Sequence, residues 1–329
     1  MWEPDPPPVS TAVSHIDSPL VSPLVSIVTP CLNSARFIEV TIQSVLAQDY
    51  PRIEHIVMDG GSTDGTIDIL KRYGPERERF TLGSPRDPFT WISEKDRGAA
   101  DAINRGFAQS RGEILAYLNA DDAYLPGAVT AAVRAFEAHP GADVVYGGGN
   151  WIDEEGRPVG PYPVRDFDRA LLARECFICQ PASFIRRTAF ENAGGMDPDL
   201  HLTFDYELWM RLARIHPMHR IAHPEVLALS RMHASNKSLG QRREVFRETF
   251  RILEKHYGYV PFQWVYAYLC YRADGRDQFF EPFQPSVARY LESLPAGLLM
   301  NRSAMGKYFA EWFRVMSWRG LVRRIGART

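Results

Sequence analysis

Cysteine is scarce: Cys31, Cys176, Cys179 and Cys270 are all there is in a chain of 329 residues. That is too few for a disulfide scaffold and fits a reducing compartment. Cys176 and Cys179 form a CxxC pair. No second pair of Cys or His stands at zinc-finger spacing, so both read as core thiols. Long apolar runs are missing as well. No stretch approaches the ~18 residues that a membrane-spanning helix needs, and the most apolar run, 259–271, is broken by Pro261 and Gln263. The amino end carries Glu3, Asp5 and several prolines in place of the basic and apolar regions of a secretory signal. A cytoplasmic location is therefore expected. Nor is there an excess of positive charge. Against 40 Asp and Glu stand 38 Lys and Arg, a net charge of −2, so no nucleic-acid partner is expected.

What is present is a globular composition, 45% apolar and 24% charged, long enough to bury a large core. Residues 1–23 hold Pro4, Pro6, Pro7, Pro8, Pro19 and Pro23, which reads as a loose leader. The β-type run Val25–Thr29 then stops at Pro30, and a helix is expected from Asn33-Ser34 onward, with Phe37, Ile38, Thr41, Ile42, Val45 and Leu46 at helical spacing. A second strand, 53–58, leads into the turn-forming segment Asp59-Gly-Gly-Ser-Thr-Asp-Gly-Thr66 and another helix. Further strands are expected at 89–93, 114–118 and 143–146, with a helix over 99–110. Such alternation argues for an α/β fold with parallel strands and right-handed crossovers. The Gly-rich segment is not a phosphate-binding Walker loop, because no Gly-Lys-Ser/Thr follows.

The chain is organised around Gly112-Glu-Ile-Leu-Ala-Tyr-Leu-Asn-Ala-Asp-Asp122. A short apolar strand that ends in Asn119, Asp121 and Asp122 places hard oxygen ligands at the carboxyl edge of a sheet, where open α/β sheets bind ligands. These residues either hold a divalent cation or merely turn the chain and cap the next helix. Farther on, Asp205 opens a helical run with Glu207, Leu208, Trp209 and Leu212. It is either an N-cap or a general base. Trp151, Tyr162 and Phe167 either wall a cleft or belong to the core. His233 stands among small polar residues. From about 239 the pattern is helical and ends in a basic amphipathic segment: Met305, Tyr308, Phe309, Trp312, Val315 and Met316 recur at helical spacing, joined by Trp318, Leu321, Val322 and Ile325, and Arg302, Lys307, Arg314, Arg319, Arg323, Arg324 and Arg328 oppose a single Glu311. Such a helix lies on an anionic bilayer or docks on its own domain.

In combination these motifs resemble the family 2 glycosyltransferases, the large inverting group with the GT-A fold. The likeness rests on Val25-Ser-Ile-Val-Thr-Pro-Cys-Leu-Asn33, Met58-Asp-Gly-Gly-Ser-Thr-Asp-Gly-Thr66, Trp91-Ile-Ser-Glu-Lys-Asp-Arg-Gly98 and Asp101-Ala-Ile-Asn104. It continues through Leu118-Asn-Ala-Asp-Asp122, Gly194-Gly-Met-Asp197 and Asp205-Tyr-Glu-Leu-Trp-Met-Arg211. It implies a Rossmann-like, mainly parallel sheet flanked by helices over 24–238, and a helical extension over 239–329.

The resemblance also implies roles. Thr29, Pro30, Asn33, Asp59, Ser62, Asp96, Gly98, Asp101, Asn104, Asn119 and Ala120 would bind the nucleotide, with Asp59 facing the base. Asp121, with His233, would hold Mn2+ or Mg2+; Asn119 stands at the first position of the family's DxD element. Asp205 would activate the acceptor hydroxyl for one in-line displacement, and Asp122, Glu207 and Trp209 would lie on the acceptor side. The implied partners are a nucleoside-diphosphate sugar, UDP or dTDP type, a glycan or lipid-linked acceptor, and an anionic membrane surface. Two alternatives remain open: a nucleotidyltransferase that makes sugar nucleotides, and a non-catalytic module that binds them.

Overall fold

The computed structural model describes residues 22–74, 89–223, 225–233, 236–275 and 285–316. Nearly all of the expected leader 1–23 lies outside the described residues, as do Trp318, Leu321, Val322, Ile325 and the arginines beyond them.

The first half builds β1 (Val25–Cys31), α1 (Ile38–Leu46), β2 (Ile53–Asp59), α2 (Thr66–Tyr73), β3 (Phe89–Ser93), α3 (Ala99–Gln109) and β4 (Ile114–Tyr117). Every residue of β1 is buried, as a strand covered by helices on both faces must be. β1 pairs in parallel with β2 on one side and β4 on the other, and β2 pairs in parallel with β3. Gly106 lets α3 lie flat on this sheet: a Cβ there would meet Val28 Cγ1 at 2.6 Å.

Two expectations shift here. Pro30 does not stop β1, which runs on to Cys31. Val28 O accepts from Leu118 N on the β4 side and Cys31 O accepts from Gly60 N on the β2 side. Strand alternation turns Pro30 toward β4, beyond the end of the β1–β4 ladder, where its missing N–H costs no bond. The first helix starts at Ile38 and not at Asn33-Ser34. Asn33 adopts φ 50°, a left-handed conformation that Asn tolerates. Its N–H donates to Ser62 Oγ at 2.7 Å and its Oδ1 accepts from Thr63 N at 2.9 Å. The chain from 33 to 35 is thus stitched to the loop after β2.

The rest comprises β5 (Ala123–Tyr124), α4 (Ala128–Ala138), β6 (Val144–Tyr146), β7 (Gly148–Ile152), β8 (Pro158–Pro161), α5 (Arg169–Leu172), β9 (Ser183–Arg186), α6 (Arg187–Asn192), α7 (Phe204–Ile215), β10 (Met218–Arg220) and β11 (Val226–Arg231). The main sheet has seven strands in the order β10-β6-β9-β4-β1-β2-β3, and β9 alone runs antiparallel to its neighbours. A second sheet, β5-β11-β7-β8, sits beyond the carboxyl end of β4. It brings β11, and the residues that follow it, back to the segment after Leu118.

The last helices are α8 (Lys237–Gly240), α9 (Arg242–Tyr257), α10 (Phe262–Asp274), α11 (Val287–Met300) and α12 (Met305–Met316). They share one core with the main sheet: Phe246, Trp264, Tyr266, Tyr290 and Tyr308 join Tyr117, Tyr206, Leu208 and Trp209 in a single buried cluster. One face of α12 docks on this body. The Tyr308 hydroxyl donates to Ser293 O at 2.7 Å, and Glu311 accepts from Arg174 Nε at 3.2 Å and from Phe262 N at 3.1 Å. Met305, Phe309 and Phe313 on the other face are exposed.

Candidate active site

The end of β4 delivers Asn119, Asp121 and Asp122 to the sheet edge. Asp122 neither caps α4, whose N-cap is Gly127, nor stays in solvent. Its Oδ1 accepts from Arg231 N at 2.9 Å, and its Oδ2 from Asn119 Nδ2 at 3.1 Å. Burial, with the charge of Asp121 added, pushes its carboxyl up to about 8. Asp121 is the more open of the two, and its Oδ2 lies 2.9 Å from His233 Nε2. Arg231 fixes this approach: its Nε donates to Asp121 O at 3.0 Å, and one of its terminal nitrogens bonds Asp153 O and Glu154 O. The Phe37 ring packs beside His233, centroids 5.1 Å apart, with the Arg36 and Arg231 guanidinium groups each 4.9 Å from it.

Asp205 reaches the same opening from a different element. It stands in the first turn of α7, whose N-cap is Thr203, so it is not the N-cap. Its Oδ1 accepts its neighbour's N–H, Tyr206 N, at 2.7 Å. Burial raises its carboxyl from the ordinary 3.8 to about 6. Asp121, Asp122, His233 and Asp205 all line one cleft of about 750 Å3. Pro30, Asn33, Asp96, Gly98, Asn119 and Ala120 also line it. Trp151 and Tyr162 line it too, whereas Phe167 packs against the core.

Seven expected site residues stand elsewhere. Thr29 is fully buried in the sheet, its hydroxyl 2.9 Å from His55 Nε2. Asp59 is 1% exposed and spends its carboxylate internally. It accepts from Gly61 N, Ser62 N and Ser93 Oγ at 2.9, 3.0 and 2.6 Å, and from the Ser62 hydroxyl. Both Asp59 and Ser62 therefore shape the loop under the cleft. Asp101 accepts from Arg97 N and pairs with the Arg97 guanidinium. Asn104 exchanges two hydrogen bonds with Met196, clamping α3 to the 195–196 turn. Glu207, fully buried, pairs with Arg211 and His256, and Trp209 is fully buried in the core. The C-terminal helices cover that part of α7, so neither side chain lines the cleft.

Other residues that line or support the cleft carried no sequence signal. Gln180 donates to Tyr117 O at 2.8 Å and accepts from Asn119 Nδ2 at 3.0 Å, which sets the loop that holds Asp121. Glu248 on α9 accepts from His201 N, Leu202 N and Thr203 N at 3.1, 2.9 and 3.1 Å, fixing the start of α7. Cys176 lines the cleft and Cys179 is buried, and both are free thiols held protonated by burial.

A family model described as glycosyl transferase family 2 matches residues 26–194. An uncharacterized glycosyltransferase of Rickettsia prowazekii is 30% identical over 241 residues, 68% of this chain and 70% of its own. A PGL/p-HBAD biosynthesis glycosyltransferase of Mycobacterium bovis is 31% identical over 194 residues, 58% of this chain and 70% of that one. The chain spans only 37% of the length of a Rickettsia felis glycosyltransferase to which it is 29% identical. Among solved structures, S. aureus TarS 1–349 shares the fold with a TM-score of 0.57 at 15% identity, covering 86% of this chain and 82% of that one. The mannosyltransferase PcManGT of Pyrobaculum calidifontis, solved with GDP-Man and Mn2+, gives 0.51 at 18% identity, covering 94% and 81%. The GT-A-like sheet is thus shared, and the matched stretch takes in β4 and the Asp121 loop after it. The chain belongs to glycosyl transferase family 2.

Proposed function

We propose that this protein transfers a sugar from a nucleoside-diphosphate sugar, of UDP or dTDP type, to an acceptor hydroxyl, with inversion at the anomeric carbon. The observation that carries the reading is that Asp121 with His233, and Asp205 from a distant part of the chain, open into one cleft. Structural neighbours support the donor class: TarS has been solved with UDP and with UDP-GlcNAc, and PcManGT with GDP-Man.

The residues at Asp121 fit a divalent cation that takes most of its ligands from elsewhere. Among the described residues no group of three His, Cys, Asp or Glu could hold a metal alone. Mg2+ and Mn2+ sites of this kind use one or two protein ligands and fill the rest with phosphate oxygens and water. Asp121 and His233 would hold the ion, which supplies charge neutralisation to the departing diphosphate. Asp205 takes the proton of the acceptor hydroxyl. A carboxylate near 6 is a better base than an exposed one and is still ionised at neutral pH. No enzyme nucleophile is required for a single displacement.

The acceptor is a glycan or a lipid-linked sugar in surface polysaccharide or glycolipid assembly, in keeping with the name of the M. bovis relative. The exposed Phe309 and Phe313, next to a sequence rich in arginine, suit a peripheral position on an anionic membrane. No helix among the described residues is long and apolar enough to cross a membrane. A thermal-shift screen of nucleoside diphosphates and their sugars, with and without Mn2+, tests the donor reading, because a ligand bound only to the folded state raises Tm. A shift for one sugar nucleotide that grows with Mn2+ supports it, and no shift for any of them refutes it.

A further inference from the structure

The cleft continues past the end of the family match. Beyond residue 194, α9 lends Arg242, Val245 and Thr249 to its wall, and α10 lends Trp264. Both helices are anchored to the segment that carries Asp205. Glu248 of α9 holds the backbone of residues 201–203, and the Trp264 ring lies 5.7 Å from that of Tyr206. The helical region therefore finishes the site and does more than support it.

Two polar groups on this side have nothing to bond. Tyr117 and Thr249 are 2% and 1% exposed, and the hydroxyl of each lacks a hydrogen-bond partner among the described residues. Both residues line the cleft. Tyr117 packs 6.2 Å, ring to ring, from Phe204, the residue before Asp205. Its proton is held on by burial first and by the nearby Asp205 charge second. A buried hydroxyl left unpaired costs free energy, and native proteins rarely carry one without a reason. Here two stand in one cleft beside the proposed base.

Taking the transfer reading as its premise, we infer that Tyr117 and Thr249 form an acceptor subsite completed by the C-terminal helices, and that its occupant is a carbohydrate. A hydroxyl both donates and accepts, as do the hydroxyls of a sugar ring, so two neutral hydroxyls match a polyol. Trp151, Tyr162 and Phe204, which also line the cleft, offer aromatic faces to the C–H surface of a sugar. An anionic acceptor is less well served. Arg242, the guanidinium on this wall, lies 4.7 Å over the Phe246 ring.

The test measures transfer from the sugar nucleotide found by thermal shift onto octyl glycosides of glucose, galactose and N-acetylglucosamine. Wild type, Thr249→Val and Tyr117→Phe are compared. Each substitution removes one oxygen and keeps the shape of the side chain. The inference expects the wild type to use at least one glycoside. Each variant then raises the acceptor KM fivefold or more, moves the donor KM less than twofold, and does not lower Tm. A purely structural role would instead lower Tm and shift both KM values together. Unchanged acceptor KM in both variants overturns the inference, and so does donor hydrolysis with no transfer to any glycoside. If the wild type binds no sugar nucleotide, the transfer reading itself falls, and the subsite with it.

Discussion

His233 Nε2 lies 2.9 Å from Asp121 Oδ2, although the two residues are 112 positions apart in the chain. The second sheet makes this meeting: β11 carries the chain to Arg231, whose side chain bonds Asp121 O and whose N–H bonds Asp122. A carboxylate and an imidazole so placed share one proton or one cation.

If they share a cation, the two residues are unequal. Asp121→Asn loses the anionic ligand and is expected to abolish the Mn2+-dependent part of the donor-induced Tm rise, with transfer down by at least about 100-fold. His233→Ala keeps the carboxylate and is expected to weaken Mn2+ dependence by about 10-fold. Titrating Mn2+ at fixed donor separates the two.

The raised carboxyl of Asp205 sets a pH limit. A general base works ionised, so kcat/KM is expected to fall about tenfold per unit below pH about 6 and to level off above it. The pH profile of wild-type transfer checks this, since an acid limb near 4 would assign the base to an exposed carboxylate.

The same shift has a stability consequence of definite sign. Asp205 moves from the ordinary 3.8 to about 6 on folding, so the folded protein binds more protons than the unfolded chain. Its penalty is absent below the unfolded value, grows as pH rises through about 6, and is complete above it. At ~1.4 kcal/mol per unit, and with its partial exposure discounted, this amounts to about 1–2 kcal/mol. Asp205→Asn is therefore expected to raise Tm at pH 8 and to leave it nearly unchanged at pH 4. Melting curves at the two pH values decide.

The docking of α12 depends on one glycine. A Cβ on Gly297 would stand 1.9 Å from Tyr308 Cζ, too close for either helix to keep its place. Gly297→Ala is expected to cost about 1–3 kcal/mol, read as a lower Tm. Removing residues after 316 leaves that contact intact, so Tm should hold while co-sedimentation with anionic vesicles falls. Unchanged co-sedimentation removes the membrane from the account.

The sheet was legible because its strands are covered on both sides and so read as short apolar runs between turns: β2 and β3 fall where 53–58 and 89–93 predict them. That Asp121 and Asp205 line one cleft was legible through motif and order. Where the other expected side chains lie is decided by long-range packing. Asp59 ends β2 as expected, but whether its carboxylate meets a ligand or its own loop depends on Ser62 and Ser93. Glu207 and Trp209 follow Asp205 in helical register, yet His256 and the core of α9 and α10 claim them. The second sheet went unseen because β5 has two residues and β8 four, too few for periodicity to show.

The most direct trial of the whole account compares binding and turnover in Asp205→Asn. Titration with the preferred sugar nucleotide and Mn2+ should give a Kd within threefold of wild type, while the rate of transfer falls by about 10²–10⁴-fold. A variant that binds the donor and turns over at the wild-type rate would contradict it.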